Sequence, residues 1–195
     1  MSDAEPHREG RIALLSPEQA RKAAESVDLP GAFTELNVFR MLLHAPKTAK
    51  AISDLLLSLL FGGQLDARLR ELIIMRLGWA TGSCYEWTQH WPIAQDRFGC
   101  TEEDLLAVRN WRESDHFGET EKAVLAAVDE TLATGTLSEA AWQRCSGVLG
   151  GEVERLELVA AIATWRWISQ VARSLEIPLE EGVAAWPPDG KRPST

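Results

Sequence analysis

Cysteine is scarce in this 195-residue chain: Cys84, Cys100 and Cys145 are the three present, an odd number at wide spacings. That excludes a disulfide framework and a Cys-x-x-Cys pair, and reduced thiols are expected. Long apolar runs are missing as well. No segment approaches the roughly 20 apolar residues that span a bilayer, and the opening MSDAEPHREGR has neither an apolar leader core nor a cleavage site. A cytoplasmic protein without membrane contact is the expectation. Basic charge is in deficit, with 20 Lys and Arg against 29 Asp and Glu and a formal net charge of −9, which argues against nucleic acid and anionic membrane as partners. Histidine is limited to four residues with no His-x-x-x-His pair, so no metal site is expected. A phosphate-cradling glycine loop, a nucleophile elbow and a dinucleotide fingerprint are absent too.

What is present reads as helix almost throughout. The 45% hydrophobic and 25% charged composition suits one globular domain over residues 1–195, with 1–10 and 187–195 as loose tails. The fold class expected is all-α. Ser16-Pro17-Glu18 is an N-cap, an N1 proline and an acidic first turn, and Leu29-Pro30-Gly31 closes that helix. A second helix is expected from about Glu35 to His44 and a third from Pro46 to Gly62-Gly63, with Ile52, Leu55, Leu56, Leu59 and Leu60 on one stripe. Asp66 caps a fourth, DARLRELIIMRLGWAT, apolar round much of its circumference and ended by Gly82. The fifth runs from Ser83 to Phe98 and should kink at Pro92. Further helices are expected over Thr101 to Trp111, Glu119 to Thr134, after Ser138, and from Glu152 to Leu175.

The chemistry-bearing residues gather between Glu71 and His90. Glu86 and His90 are four apart and share a helix face. If the fourth and fifth helices pack antiparallel across Gly82, Glu71 approaches the start of the fifth, joining two carboxylates, an imidazole and the Ser83 hydroxyl. Burial raises a carboxyl pKa and a neighbouring like charge separates a pair, so such a cluster suits proton transfer. A second reading stands beside this one: Ser83-x-x-Glu86 is also the spacing of a capping box. Glu71 in an apolar helix needs a buried partner, unless Arg70 carries both to the helix rim. The eight tryptophans serve chiefly in packing, with one or two available to wall a pocket.

The segment RELIIMR at 70–76, followed by Thr81-Gly82-Ser83-Cys84-Tyr85-Glu86 and His90, resembles the carboxymuconolactone decarboxylase and AhpD-like superfamily. NVFRMLLHAP at 37–46 and VARSLEIPL at 171–179 extend the likeness over about residues 33–180. Redox members of that superfamily carry a glutamate, twelve residues on a Cys-x-x-Cys, and a histidine four residues after the second cysteine. Here Glu71 and His90 keep that spacing, while Ser83 and Glu86 stand where the cysteines would be. The resemblance implies an all-helical AhpD-like bundle round a central helical hairpin, assembled as homo-oligomeric trimers or hexamers with the site near subunit contacts.

Thiol peroxidase chemistry needs an attacking and a resolving cysteine. Cys84 is one position away from the first of these, a turn of about 100° round the helix. The decarboxylase branch, by resemblance, lacks the pair, keeps a glutamate and a histidine four apart, and works on an acidic lactone by proton transfer. The leading expectation is therefore a cofactor-free enzyme acting on a small organic acid, lactone or related carbonyl compound. In it Glu86 and His90 transfer the proton, Glu71 sets their charge state, and Ser83, Cys84, Trp87 and His44 are candidates for substrate contact. The alternatives are an alkylhydroperoxidase-like protein using Cys84 and a non-catalytic oligomeric binding protein.

Overall fold

A computed structural model describes residues 10–194, which form nine α-helices, two short 3-10 turns and no strand. Residues 1–9, most of the expected first tail, lie outside the described residues. Helix α1 spans Pro17–Glu25 and α2 Asn37–Leu42. Ser16 and Gln19 close the expected cap reciprocally, at 3.2 and 2.9 Å. The second helix is shorter than expected because Gly31–Glu35 tighten into a 3-10 turn and Leu36 is extended. Helix α3 is Pro46–Phe61, α4 Ala67–Thr81, α5 Cys84–Phe98 and α6 Glu102–Ala107, the last continued by a 3-10 turn at Val108–Asn110. Helices α7 (Glu119–Thr134), α8 (Glu139–Val148) and α9 (Glu152–Ser174) complete the bundle.

Helix α4 is the axis of the fold. The Asp66 side chain accepts the Leu69 amide at 2.9 Å and fixes its start. Leu72, Ile73, Ile74, Met75 and Leu77 have no exposed surface, and each such side chain stabilises the fold by roughly 1.5–3 kcal/mol relative to exposure. The helix stops at Gly82, whose φ of 68° is the left-handed conformation that glycine adopts without strain. This sharp stop folds α5 back along α4. Their close approach rests on Gly78, where a Cβ would lie 3.1 Å from the Trp87 backbone nitrogen. Glu157 of α9 accepts the Gln64 and Leu65 amides, both at 2.7 Å, and so ties the turn before α4 to the last helix.

Helix α5 contains Pro92, which lies on its exposed side. One expectation changes. The segment expected as a loose tail is packed, because Trp186 is buried and its amide donates to Thr88 Oγ1 at 3.1 Å. The Pro187 carbonyl then accepts the Trp87 indole N–H at 2.8 Å, and Asp189 pairs with Arg109 at 2.9 Å. The Arg109 guanidinium in turn lies 4.6 Å from the Trp79 ring centroid.

Candidate active site

Glu71 and Arg70 are both buried, so the helix-rim alternative is overturned. Glu71 Oε2 lies 2.8 Å from His90 Nδ1 on α5, and Oε1 lies 3.4 Å from Arg70 Nη2. The Arg70 guanidinium also stacks on Phe98, 4.5 Å from the ring centroid, while its Nε has no partner among the described residues. This is the buried partner that a glutamate in an apolar helix requires. The other imidazole nitrogen, Nε2, is 3.2 Å from the indole Nε1 of Trp165 on α9. An indole N–H can only donate, so Nε2 accepts and the proton sits on Nδ1, directed at Glu71.

Two forces compete over the charge of His90. Burial lowers its pKa, but the charge and hydrogen bond of Glu71 outweigh this and raise it. The Trp165 N–H acts in the opposite sense, because an imidazolium has no lone pair at Nε2 to receive it. Glu86, one turn before His90, has a different situation. It is 4% exposed and makes no side-chain hydrogen bond among the described residues. Burial raises its carboxyl pKa, His90 lowers it and Glu71 raises it, leaving it pushed up to about 7.

Glu86 and His90 face a cavity of about 340 Å³ whose wall also includes Trp165. The remainder is mostly apolar and includes Phe33, Leu36, Phe39, Leu60, Phe98 and Ile168. Tyr85 and Gln89 also line it, and both are tied back to Glu180. The Tyr85 hydroxyl donates to Glu180 Oε1 at 2.7 Å and accepts the Val38 amide at 3.1 Å, and Gln89 Nε2 donates to Glu180 Oε2. Glu180 also accepts the Asn37 amide at 2.8 Å, joining the chain after α9 to the start of α2.

The expected capping box does not form. Ser83 occupies the N-cap position, yet its side chain caps nothing and its buried Oγ has no partner among the described residues. Ser83, Cys84, Trp87 and His44 do not line the cavity. The Cys84 thiol points to Thr88 Oγ1, 3.7 Å away, and burial pushes its pKa up. Trp87 is wholly buried among Trp79, Trp91 and Trp186. Exposed His44 lies 2.8 Å from the Ala13 carbonyl, tying down the segment before α1. Among the described residues, no cluster of three or more His, Cys, Asp or Glu side chains could hold a metal ion, and no helix is long and apolar enough to cross a membrane.

Residues 46–130 match the model of the carboxymuconolactone decarboxylase family, a stretch containing Glu71, Ser83, Glu86 and His90. Over that stretch, less than half of the 195 residues, the chain is similar to the carboxymuconolactone decarboxylase family. Solved structures share the fold at low identity. One is the AhpD-core, peroxidase-related protein of Ralstonia eutropha, with a TM-score of 0.71 and 16% identity over 91% of this chain and 95% of that one. Another is a protein of unknown function from Agrobacterium tumefaciens, proposed to be the antioxidant-defence protein AhpD, with a TM-score of 0.63 and 22% identity over 70% and 92%. A third is the debrominase Bmp8 bound to 2,3,4-tribromopyrrole, with a TM-score of 0.62 and 20% identity over 84% of each chain. Comparison with curated proteins gave no match. Trp165, Glu180 and Ile168 lie beyond the segment that matches the carboxymuconolactone decarboxylase family, so part of this site is built by residues outside it.

Proposed function

We propose that this protein is a cofactor-free enzyme that moves a proton to or from a carbon atom of a small carbonyl compound, organic acid or lactone, with Glu86 as the group that meets the substrate. The observation that carries this reading is a single carboxyl, buried and without a hydrogen-bond partner among the described residues, on the wall of a mostly apolar cavity, where burial pushes its pKa up to about 7. At neutral pH both its acid and its base form are populated, which is what proton transfer in either direction requires. His90, held by Glu71 and Trp165, is the charge partner that keeps Glu86 from rising further.

Two reactions fit this apparatus. In a decarboxylation, the electrons of the breaking C–C bond pass into the substrate's carbonyl, carbon dioxide leaves, and the Glu86 carboxyl protonates the carbon left behind. Solvent then restores the proton to Glu86. In an isomerisation, the Glu86 carboxylate removes a proton beside the carbonyl and returns it at another atom of the same delocalised system. The first needs the acid form, so its rate falls as pH rises through about 7; the second begins with the base form and its rate rises through the same pH.

Thiol chemistry has little to work with here. None of the three cysteines lines the cavity, and burial raises the pKa of each, that of Cys100 to about 12. The test is a panel of keto acids and lactones, followed by NMR for carbon-bound deuterium and by carbon dioxide release, in wild type, Glu86→Gln and Cys84→Ser. Turnover with a limb near pH 7, lost in Glu86→Gln and kept in Cys84→Ser, is expected. Dithiol-dependent hydroperoxide turnover that disappears in Cys84→Ser would contradict the reading, and so would ligand binding without turnover of any kind.

A further inference from the structure

The polar groups that face the cavity are nearly all committed to the protein. Tyr85 gives its hydroxyl proton to Glu180 and accepts from Val38; the Gln89 amide N–H goes to Glu180, and the Trp165 N–H to His90. Both nitrogens of His90 are engaged. What remains for a ligand is the Glu86 carboxyl, the Gln89 carbonyl oxygen and, at the mouth, the exposed guanidinium of Arg97. Arg97 makes no ion pair or hydrogen bond among the described residues, and it is the one arginine or lysine in the cavity wall.

The charges are thus sorted by depth. The inner end has Glu86 on the wall, with Arg70 and His90 both turned to Glu71, and so offers a ligand no free cation, whereas the mouth offers Arg97. Arg97 follows Glu86 by eleven residues on the same helix, an axial separation of about 16 Å between their backbones. The space between is walled by apolar side chains, and its volume is at the small end of the range for small-molecule sites. A carboxylate bound at the mouth keeps water on one side and gains a cation. A second carboxylate at the inner end would lose water, meet apolar walls and find no unpaired cation.

We infer that the ligand of this cavity is a small, largely apolar acid with one carboxylate, held mouth-outward by Arg97, whose uncharged carbonyl end reaches Glu86. This rests on the proton-transfer reading of the same site and narrows it. The anchoring carboxylate is engaged by Arg97 while Glu86 meets the carbonyl end, so that carboxylate is not the group expelled and the reaction is a proton shift: the Glu86 carboxylate removes a proton next to the ligand's carbonyl and returns it elsewhere on the conjugated system, with no net oxidation and nothing lost.

Calorimetric titration with phenylbutyrate, its methyl ester and phenylsuccinate tests the ligand class. The monoacid should bind about fivefold more tightly than the ester, an advantage typical of an exposed charge pair, and Arg97→Gln should abolish that difference while leaving ester binding intact. Phenylsuccinate should bind at least about tenfold more weakly than phenylbutyrate. Equal affinity for acid and ester, an advantage that survives Arg97→Gln, or tight binding of the diacid would each overturn the inference, as would failure of all three to bind. 7-Oxooctanoate, a methyl ketone with its carboxylate at the far end of the chain, should exchange deuterium beside its ketone; binding of this compound without exchange would overturn the proton shift. Glu86→Gln should bind phenylbutyrate as wild type does, so loss of exchange with binding retained separates a failure of the chemistry from a failure of the ligand class.

Discussion

Helix α4 carries two charge clusters built from the same residue types, and they are wired in opposite ways. On one side Arg68 bonds Asp104 at 3.1 Å and Glu121 at 2.8 Å, and His116 adds a contact to Asp104 at 2.8 Å. Burial alone would raise the Asp104 carboxyl, but the Arg68 bonds, the Thr101 amide and His116 hold it well below the usual carboxylate range. On the other side buried Arg70, Glu71 and Glu86 gather round the mostly buried His90. There the one arginine is turned to Glu71 and Phe98, and Glu86 is left without a hydrogen-bonding partner among the described residues. The first cluster is saturated and its charges are fixed, which is a structural role. The second is short of one partner, and the deficit is what leaves a carboxyl free to change its protonation near neutral pH.

The largest expected effect lies in the unsaturated cluster. Glu86→Gln should lower kcat/KM on an accepted substrate by about 10²–10⁴, the usual contribution of a general acid or base, with circular dichroism unchanged. Asp104→Ala removes the Asp104 bonds of Arg68, Thr101 and His116 and leaves Arg68 with Glu121, so it should cost about 2 kcal/mol of stability in urea unfolding and leave the activity of the folded enzyme near wild type. If Asp104→Ala abolished activity without unfolding, the division between the two clusters would fail.

The two clusters should also differ in how they respond to pH. A carboxyl whose folded pKa is raised above its unfolded value stabilises the fold fully below the unfolded value and loses that contribution as pH rises through the folded one. For Glu86 the window runs from about 4.5 to about 7. Glu86→Gln, which cannot ionise, should therefore gain on wild type across this window, by up to roughly 3 kcal/mol at mildly alkaline pH. Asp104 has the opposite sign: its lowered pKa gives stability that is present above the ordinary carboxylate range and lost as pH falls below it. Unfolding midpoints of wild type and the two variants measured across pH would show the two slopes separately.

How much of this could be read from the sequence follows from what each feature depends on. Helix ends depend on residues a few positions apart, so Ser16-Pro17, Asp66, Gly82, Gly99 and Thr101 were legible as starts and stops. The Glu71–His90 contact was legible because one tight turn joins α4 and α5. Glu86 was ambiguous for a geometric reason: one spacing places it both at the third residue of a helix and on the face of His90, and only packing decides that it faces the cavity rather than Ser83. Trp165 and Glu180 meet the site across 75 and 95 residues of chain, and nothing in their own neighbourhoods marks the meeting. The packed tail had a signal that composition outweighed, a tryptophan at position 186 in an otherwise polar, proline-rich end.

The smallest expected effect concerns Trp165. Trp165→Phe removes the indole N–H from His90 Nε2 and frees that nitrogen to take a proton. The His90 pKa should rise further, and a more cationic His90 should lower that of Glu86. The catalytic pH limb should move to lower pH, changing the rate at a fixed pH by about fivefold, the size of one hydrogen bond. An unmoved limb would mean that Trp165 serves only to wall the cavity.

The central claim is that Glu86 is a carboxyl held near neutrality by its surroundings. Carbon-13 NMR titration of glutamate side-chain carboxyls, with Glu86→Gln to assign the signal, measures this directly. A midpoint near 7 in the folded wild type is the predicted result; a midpoint near the ordinary 4.5 would contradict the account, because Glu86 would then be a permanent anion with no proton to exchange at neutral pH.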